Sequence, residues 1–340
     1  MGQHGVPDNI SEEYYQISDA ILGSFPKYRP PLDLFVFNEK VMQLIPYYRK
    51  GSRLSNEQVE EVATLCAEGN VFVARSDHHI YSKHIVKQLD LILVDKNLKQ
   101  GEIVGICQQA MEQRIHDFFE QPVKNQLEVL ETDMKVVTEY LWQDRHRCKL
   151  FLKRLWTGDY CLARHSVNCL FMGLWLLNEL RGKDLSRKVF DDTALGLLTH
   201  DVGMSKIPSF ILTKSKPLTP DEKSKIPPHV LVGTTIIRKL DVASDVVDQI
   251  ILQHHERLDG SGYPQRTKDI SVFGKLAAVV DSFSAMVQTR PYAPAQELAV
   301  AARELGAERT LYDSQCSGAL LAGIVTNLFA GSETPPAGSS

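Results

Sequence analysis

Apolar residues in the second half of the chain recur at helical spacing, and metal-binding side chains stand at the ends of those runs. Val247, Ile250, Ile251 and His254 share one face, so a helix burying Val247 and Ile251 delivers His254 and His255 at its last turn, ahead of Asp259-Gly260-Ser261-Gly262-Tyr263-Pro264. Phe190, Ala194, Leu197 and Leu198 form a second face that closes with His200-Asp201. A neighbouring His and Asp at the end of a buried helix can both reach one metal, and the second carboxylate oxygen is free to bridge to another. His165 opens a third run with Cys169, Met172, Gly173 and Leu176, and His229 a fourth with Val230, Gly233, Ile237 and Leu240. Asp281 lies within Leu276-Ala277-Ala278-Val279-Val280-Asp281-Ser282-Phe283, where a carboxylate among apolar neighbours needs a counter-charge. One helix plus its connection separates each candidate from the next, as expected of ligands from successive helices of a bundle.

The first half reads differently. Residues 1–32, with Pro26, Pro30 and Pro31 near their end, read as an extension that packs weakly or links. Residues 33–107 form a small α/β module. Leu34-Phe35-Val36-Phe37 and Val41-Met42-Gln43-Leu44-Ile45 are strands, Ser55 with Gln58 is a capping box opening a helix to about Cys66, and Asn70 to Arg75 resume a strand. A connecting helix spans 108–150, interrupted near Pro122. Its residues Val123, Leu127, Leu130, Met134, Val137 and Leu141 make a short heptad seam, which serves either as packing on its own domain or as a homodimer face over 123–141. Residues 151–330 are a helical domain, with Thr219-Pro220-Asp221-Glu222 as a strong helix start, and 331–340 are a Gly/Ser/Pro-rich disordered tail. The fold class is mostly α: a C-terminal helical bundle, a small N-terminal α/β module and a long connecting helix.

Composition narrows the partners. At 43% hydrophobic and 24% charged, the 340 residues describe a globular protein, and a net charge of -4 argues against a DNA or RNA polymer as ligand. Six scattered cysteines without a Cys-x-x-Cys pair read as reduced thiols of a cytoplasmic protein, mostly core residues. No run spans a membrane, and Met1-Gly2-Gln3-His4-Gly5-Val6 is neither a signal peptide nor a myristoylation site. His78-His79 shows that a His pair alone is weak evidence, because no partner signal accompanies it and a polar turn accounts for it.

His200-Asp201, His229, His254-His255, Gly262-Tyr263-Pro264, Asp281 and Arg290-Pro291-Tyr292, in this order and spacing, resemble the HD-GYP branch of the HD-domain metal-dependent phosphohydrolases over about residues 151 to 328. The resemblance implies hydrolysis of cyclic di-GMP to pGpG, and in some members to GMP. Two divalent ions about 3.5–4 Å apart can generate a bridging hydroxide and neutralise phosphoryl charge. His165, His200, Asp201 and Asp281 are assigned to one metal and His229, His254 and His255 to the other, with Asp201 bridging. Imidazole and carboxylate ligands suit iron or manganese, with zinc or nickel as in vitro substitutes. Gly262, Tyr263, Arg290 and Lys206 are the candidate substrate contacts, within a rim that also holds Lys214, Lys216, Lys223 and Lys225. The Gly-Tyr-Pro loop could equally dock a diguanylate cyclase or an adaptor protein.

The chain departs from the family at four places. Met204 stands where the family usually has a lysine beside the scissile phosphate, and Lys206 is the candidate replacement, sharing the catalytic assignment with Asp201. Cys161 stands where some members place a Glu that recruits a third metal, so a binuclear site is expected; Ser284 and Ala293 stand where an Asp and a basic residue are usual. These changes motivate an alternative reading: a weak or inactive metal-bound protein that senses a cyclic nucleotide or docks onto a signalling partner. A third reading, hydrolysis of mononucleotides, is disfavoured by the Gly-Tyr-Pro loop.

Overall fold

The computed structural model describes residues 13–38, 40–77, 80, 89–94, 98–155, 160–290 and 293–326, so His78-His79, Pro291-Tyr292 and the tail 331–340 lie outside the described residues. The chain divides into two compact units, Met1–Ala110 and Met111–Ser340.

The first unit is built on a four-stranded sheet in the order β1-β4-β2-β3. Its strands are Tyr14–Gln16 (β1), Leu34–Asn38 (β2), Gln43–Tyr48 (β3) and Val71–Ala74 (β4), all paired antiparallel. Pro46 is tolerated in β3 because that strand is an edge. The helices Asp19–Ser24 (α1), Asn56–Ala67 (α2) and Leu89–Val94 (α3) complete the elements, and α2 opens on the expected Ser55/Gln58 capping box. Within the stretch expected to pack weakly, residues 13–32 do not do so. β1 pairs Tyr15 with Val73, Ser18 caps α1, and Tyr15, Ile17, Ile21 and Leu32 are all at most 2% exposed. A three-residue strand and a six-residue helix are too short for periodicity to reveal them, and β1 depends on a partner far along the chain.

Gln100–Glu120 (α4) runs across the division between the units. In the second unit, Lys124–Gln143 (α5), Arg147–Leu152 (α6), Leu162–Arg181 (α7) and Arg187–Thr199 (α8) come first. The α5 seam turns inward: Leu127, Leu130, Met134, Val137 and Leu141 are at most 1% exposed. Contact with α8 runs through Trp142 on Phe190, ring centroids 5.4 Å apart, Thr138 Oγ1 to Asp191 at 2.6 Å, and the Arg187–Glu139 ion pair. The homodimer reading of 123–141 is therefore corrected, since its apolar stripe is already covered by its own chain. Heptad spacing specifies a stripe and leaves open what covers it. Only Val123 of the seam, 48% exposed, stays outside.

α7 is buried from Ala163 to Leu177 with few polar interruptions, as a helix enclosed by neighbours must be. Packed on it are α6, α8, Val272–Met286 (α13) and Ser314–Val325 (α15); after the short Ser209–Leu212 (α9) and Pro220–Ser224 (α10), His229–Lys239 (α11) packs on Asp245–Gln253 (α12), α12 packs on α8 and α13, and Leu298–Ala307 (α14) packs on α15. α8 and α12 touch closely at Gly196, where a Cβ would stand 2.7 Å from Ile250 Cδ1. That contact sets the ends of α8 and α12 side by side. Among the described residues no helix is long and apolar enough to cross a membrane.

Candidate metal centre

The seven residues expected as metal ligands come from five helices. His165 projects from the first turns of α7, His200 and Asp201 follow α8, His229 begins α11, His254 and His255 follow α12, and Asp281 lies in α13. His165, His200, His229 and His254 are at most 1% exposed, and only His255 opens to solvent, its side chain 21% exposed.

Helix ends fix the tautomers. Nδ1 of His200 lies 2.8 Å from Leu197 O, Nδ1 of His229 2.7 Å from Ile226 O and Nδ1 of His254 2.8 Å from Ile251 O. A carbonyl only accepts, so Nδ1 carries a hydrogen in each ring and Nε2 is the atom turned inward, with a lone pair when the ring is neutral. The imidazoles thereby also satisfy carbonyls left over at turn and helix ends. His165 Nδ1 faces the Ser284 hydroxyl at 3.0 Å, which turns its Nε2 inward as well.

The inward atoms form two facing groups. Asp201 Oδ1 stands 3.2 Å from His229 Nε2 and 3.7 Å from His254 Nε2, while its Oδ2 stands 3.6 Å from His200 Nε2 and 3.8 Å from His165 Nε2. Asp281 is also two-faced, with Oδ1 3.0 Å from His165 Nε2 and Oδ2 3.5 Å from His255 Nδ1. Two quartets result, His165/Cys169/His200/Asp281 and Asp201/His229/His254/His255, each with its ligand atoms within 4.8 Å of one another. Nε2 of His229 and Nε2 of His254 face at 3.2 Å, and His200 Nε2 has no hydrogen-bond partner. Opposed lone pairs in a buried site require a shared proton or a cation, and the donor set suits a divalent metal.

Charge follows the same layout. Burial pushes the Asp201 carboxyl upward, but the imidazoles of His200 and His229 override it and hold the group well below the carboxylate range. Asp281 is held down likewise, burial being overcome by His165 and His200. Burial works against protonated His200, yet the charges of Asp201 and of the neighbouring Asp281 raise it to about 9. His255 is lowered to about 4 by burial, which Asp281 only partly offsets. The Cys169 thiol is pushed well up, by burial first and then by Asp281 and Asp201.

The Gly-Tyr-Pro loop is tied to the back of this cluster. The Tyr263 ring lies 4.6 Å from the His255 ring, and the Tyr263 N–H donates to His255 O at 3.2 Å. Gly262 fits where a Cβ would stand 2.4 Å from His255 O. Burial, with Asp281 and Asp201 nearby, raises the Tyr263 phenol, so it stays a donor. Two loop anchors were not foreseen. The Glu256 carboxylate, 0% exposed, accepts from the Gln265 N–H at 2.6 Å and the Arg266 N–H at 3.1 Å. Arg257 donates to Glu256 O and His254 O, reaches Ser282 Oγ at 3.2 Å and covers the Tyr312 ring. Cys169 was read as core, although its position four residues after His165 put both on one helix face.

The expected cationic rim is only partly available. Lys214 pairs with Glu222 at 2.6 Å and Lys225 with Asp221 at 2.7 Å, whereas Lys216 and Lys223 are exposed. Lys206 is exposed at the end of the turn Val202–Lys206 and makes no ion pair with the cluster among the described residues; Met204 is half-buried. Arg290 stacks over Tyr160 at 4.5 Å, whose ring is 6.0 Å from that of His165. Cys161, expected not to recruit a third ion, caps α7 outside both quartets.

Residues 175–316 match the HD domain family model. A cyclic di-GMP phosphodiesterase of Thermotoga maritima is 41% identical over 109 residues, covering 31% of this chain and 30% of that protein. Another, from Pseudomonas aeruginosa, is 31% identical over 168 residues, covering 49% of this chain and 40% of that protein. The chain thus spans less than half the length of these curated relatives. In fold it is similar to Bd1817, a HDG"Y"P protein from Bdellovibrio bacteriovorus, with a TM-score of 0.60 at 16% identity over 92% of this chain and all of the other.

Proposed function

We propose that the chain, whose residues 175–316 match the HD domain family model, is a metal-dependent phosphodiesterase of cyclic di-GMP. The observation that carries this reading is the pair of facing quartets joined by Asp201, whose two carboxylate oxygens address different groups of imidazoles. In this reading His165, His200, Asp201 and Asp281 hold one divalent ion and His229, His254 and His255 the other, with Asp201 shared; iron or manganese suits the nitrogen and oxygen donors. When bound, such ions activate water near neutral pH and neutralise phosphoryl charge.

The chain's own groups then bind and orient the substrate. Water adds to one phosphorus of the ring and the P–O3′ bond breaks, the 3′ oxygen taking a proton to become the ribose hydroxyl and the phosphate staying on the 5′ oxygen, giving pGpG. Tyr263, kept protonated beside His255, offers a hydrogen bond to a phosphate or a stacking face to a base. Lys206 is free at the surface to supply the cation absent at Met204, and Arg290 backs Tyr160 beside His165.

The test is turnover of cyclic di-GMP by the full chain purified without air and supplied with iron or manganese, with metal content measured on the same sample. Turnover that rises with metal occupancy, and is absent along with the metal in Asp201→Asn, is the expected result. Full occupancy without turnover would instead favour the sensor or docking reading, which the half-buried, uncharged Met204 recommends as the second choice.

A further inference from the structure

Cys169 belongs to one of the two metal-binding quartets, yet the nitrogen and oxygen assignment above leaves it unused. The residue is 0% exposed, four positions after His165 on α7, and its Sγ lies 3.8 Å from His165 Nε2. The donor atoms of His165, Cys169, His200 and Asp281 all lie within 4.8 Å of one another. The unpartnered Nε2 of His200, a residue 1% exposed, points into the same space. Donors sharing one ion at about 2.0–2.3 Å stand roughly 3–4 Å apart, and 3.8 Å from Cys169 to His165 and 3.0 Å from His165 to Asp281 match that spacing. The competing roles for the sulfur are S–H donation to His165 Nε2 or to Val280 O, each at 3.8 Å, and a thiol is a weak donor in either.

We propose that Cys169 is a sulfur ligand of the ion held by His165, His200 and Asp281. This inference rests on the metal centre proposed above. The thiol releases its proton to solvent as the metal–sulfur bond forms, so the bound species is a thiolate. The two halves of the centre then differ in kind. One is sulfur-containing and favours zinc or ferrous iron over manganese, while Asp201, His229, His254 and His255 keep an all-nitrogen-and-oxygen set. The site is therefore suited to two different ions, the softer one on the α7 side.

Cobalt(II) added to the metal-free full chain under reducing, air-free conditions separates the two claims. Nitrogen and oxygen ligands alone give weak visible bands, and a thiolate adds an intense near-ultraviolet charge-transfer band. The expected result is both features in the wild type and in Cys161→Ser, with the ultraviolet band lost and the visible bands kept in Cys169→Ser. Losing a direct ligand should also cost Cys169→Ser at least about tenfold in zinc affinity, given that outer partners alone are worth about 10–100-fold, with a smaller change for manganese. Visible bands without the ultraviolet band in the wild type, or a band that survives in Cys169→Ser, overturn the sulfur ligand and leave the proposed function standing. No visible bands at all overturn the metal centre itself. Should Cys169→Ser fold poorly, Cys169→Ala carries the same comparison, and the wild-type spectrum alone can refute the idea.

Discussion

Gly203 shows how one missing side chain shapes the centre. A Cβ there would stand 1.9 Å from His229 O and 2.8 Å from Gly233 N, so the turn after His200-Asp201 lies directly on the start of α11. Backbone cannot move aside as a flexible side chain does, and Gly203→Ala should cost about 3 kcal/mol in urea unfolding, as overpacking a filled core does, with metal lost in elemental analysis. Wild-type stability in that variant would sink the close-contact account. Lys206, two residues beyond Met204, is the opposite case: exposed and without an ion pair to the cluster. If its charge serves the scissile phosphate, Lys206→Ala should lower turnover about 100-fold with metal content unchanged; undiminished turnover rules that role out. The residues that gather in the two quartets were legible one by one because each His or Asp stood at the end of, or within, an apolar run. The partners of Cys169 and Ser284 were not, since Ser284 meets His165 only after 119 positions of chain have folded back.

Helix ends were the most readable elements. The capping boxes at Ser55 and Thr219 both form, because a Ser or Thr and the residue three further on satisfy each other locally. What each element packs against was less readable: the α5 seam was consistent with two partners until α8 was found on it, and β1 needed β4. The loop after α12 combines both situations. Its glycines and Tyr263 stood out, while the anchor Glu256 did not, because its acceptors' partners, the N–H groups of Gln265 and Arg266, lie nine and ten residues on. Glu256→Ala strands those two donors and should cost about 2 kcal/mol. Limited proteolysis within 257–266 should accelerate in that variant. Glu256→Gln retains an oxygen acceptor and should cleave at nearly the wild-type rate, so equal protection in all three proteins would remove the anchoring role.

Across the second unit, the buried imidazoles and carboxylates make stability depend on both pH and metal. In the metal-free protein the raised groups His200 and His229 gain protons in the folded state, His200 with a value of about 9 against an ordinary 6.5. Their contribution is complete below about 6.5 and is lost as pH rises toward about 9. His255, lowered to about 4, and His254, lowered well below the ordinary value, have the opposite sign. The unfolded chain binds their protons first, so stability also falls as pH drops from about 6.5 toward about 4. Asp201 and Asp281, held below the carboxylate range, add a further loss only at lower pH. Thermal unfolding of the metal-free chain should therefore peak near the ordinary histidine value and decline on both sides. Metal takes the place of the protons on these imidazoles, so loading should remove the alkaline decline and steepen the acid one. A metal-free midpoint that climbs steadily through pH 9 would mean that protons are not holding the two quartets together, and the charge balance described for the centre would fail with it.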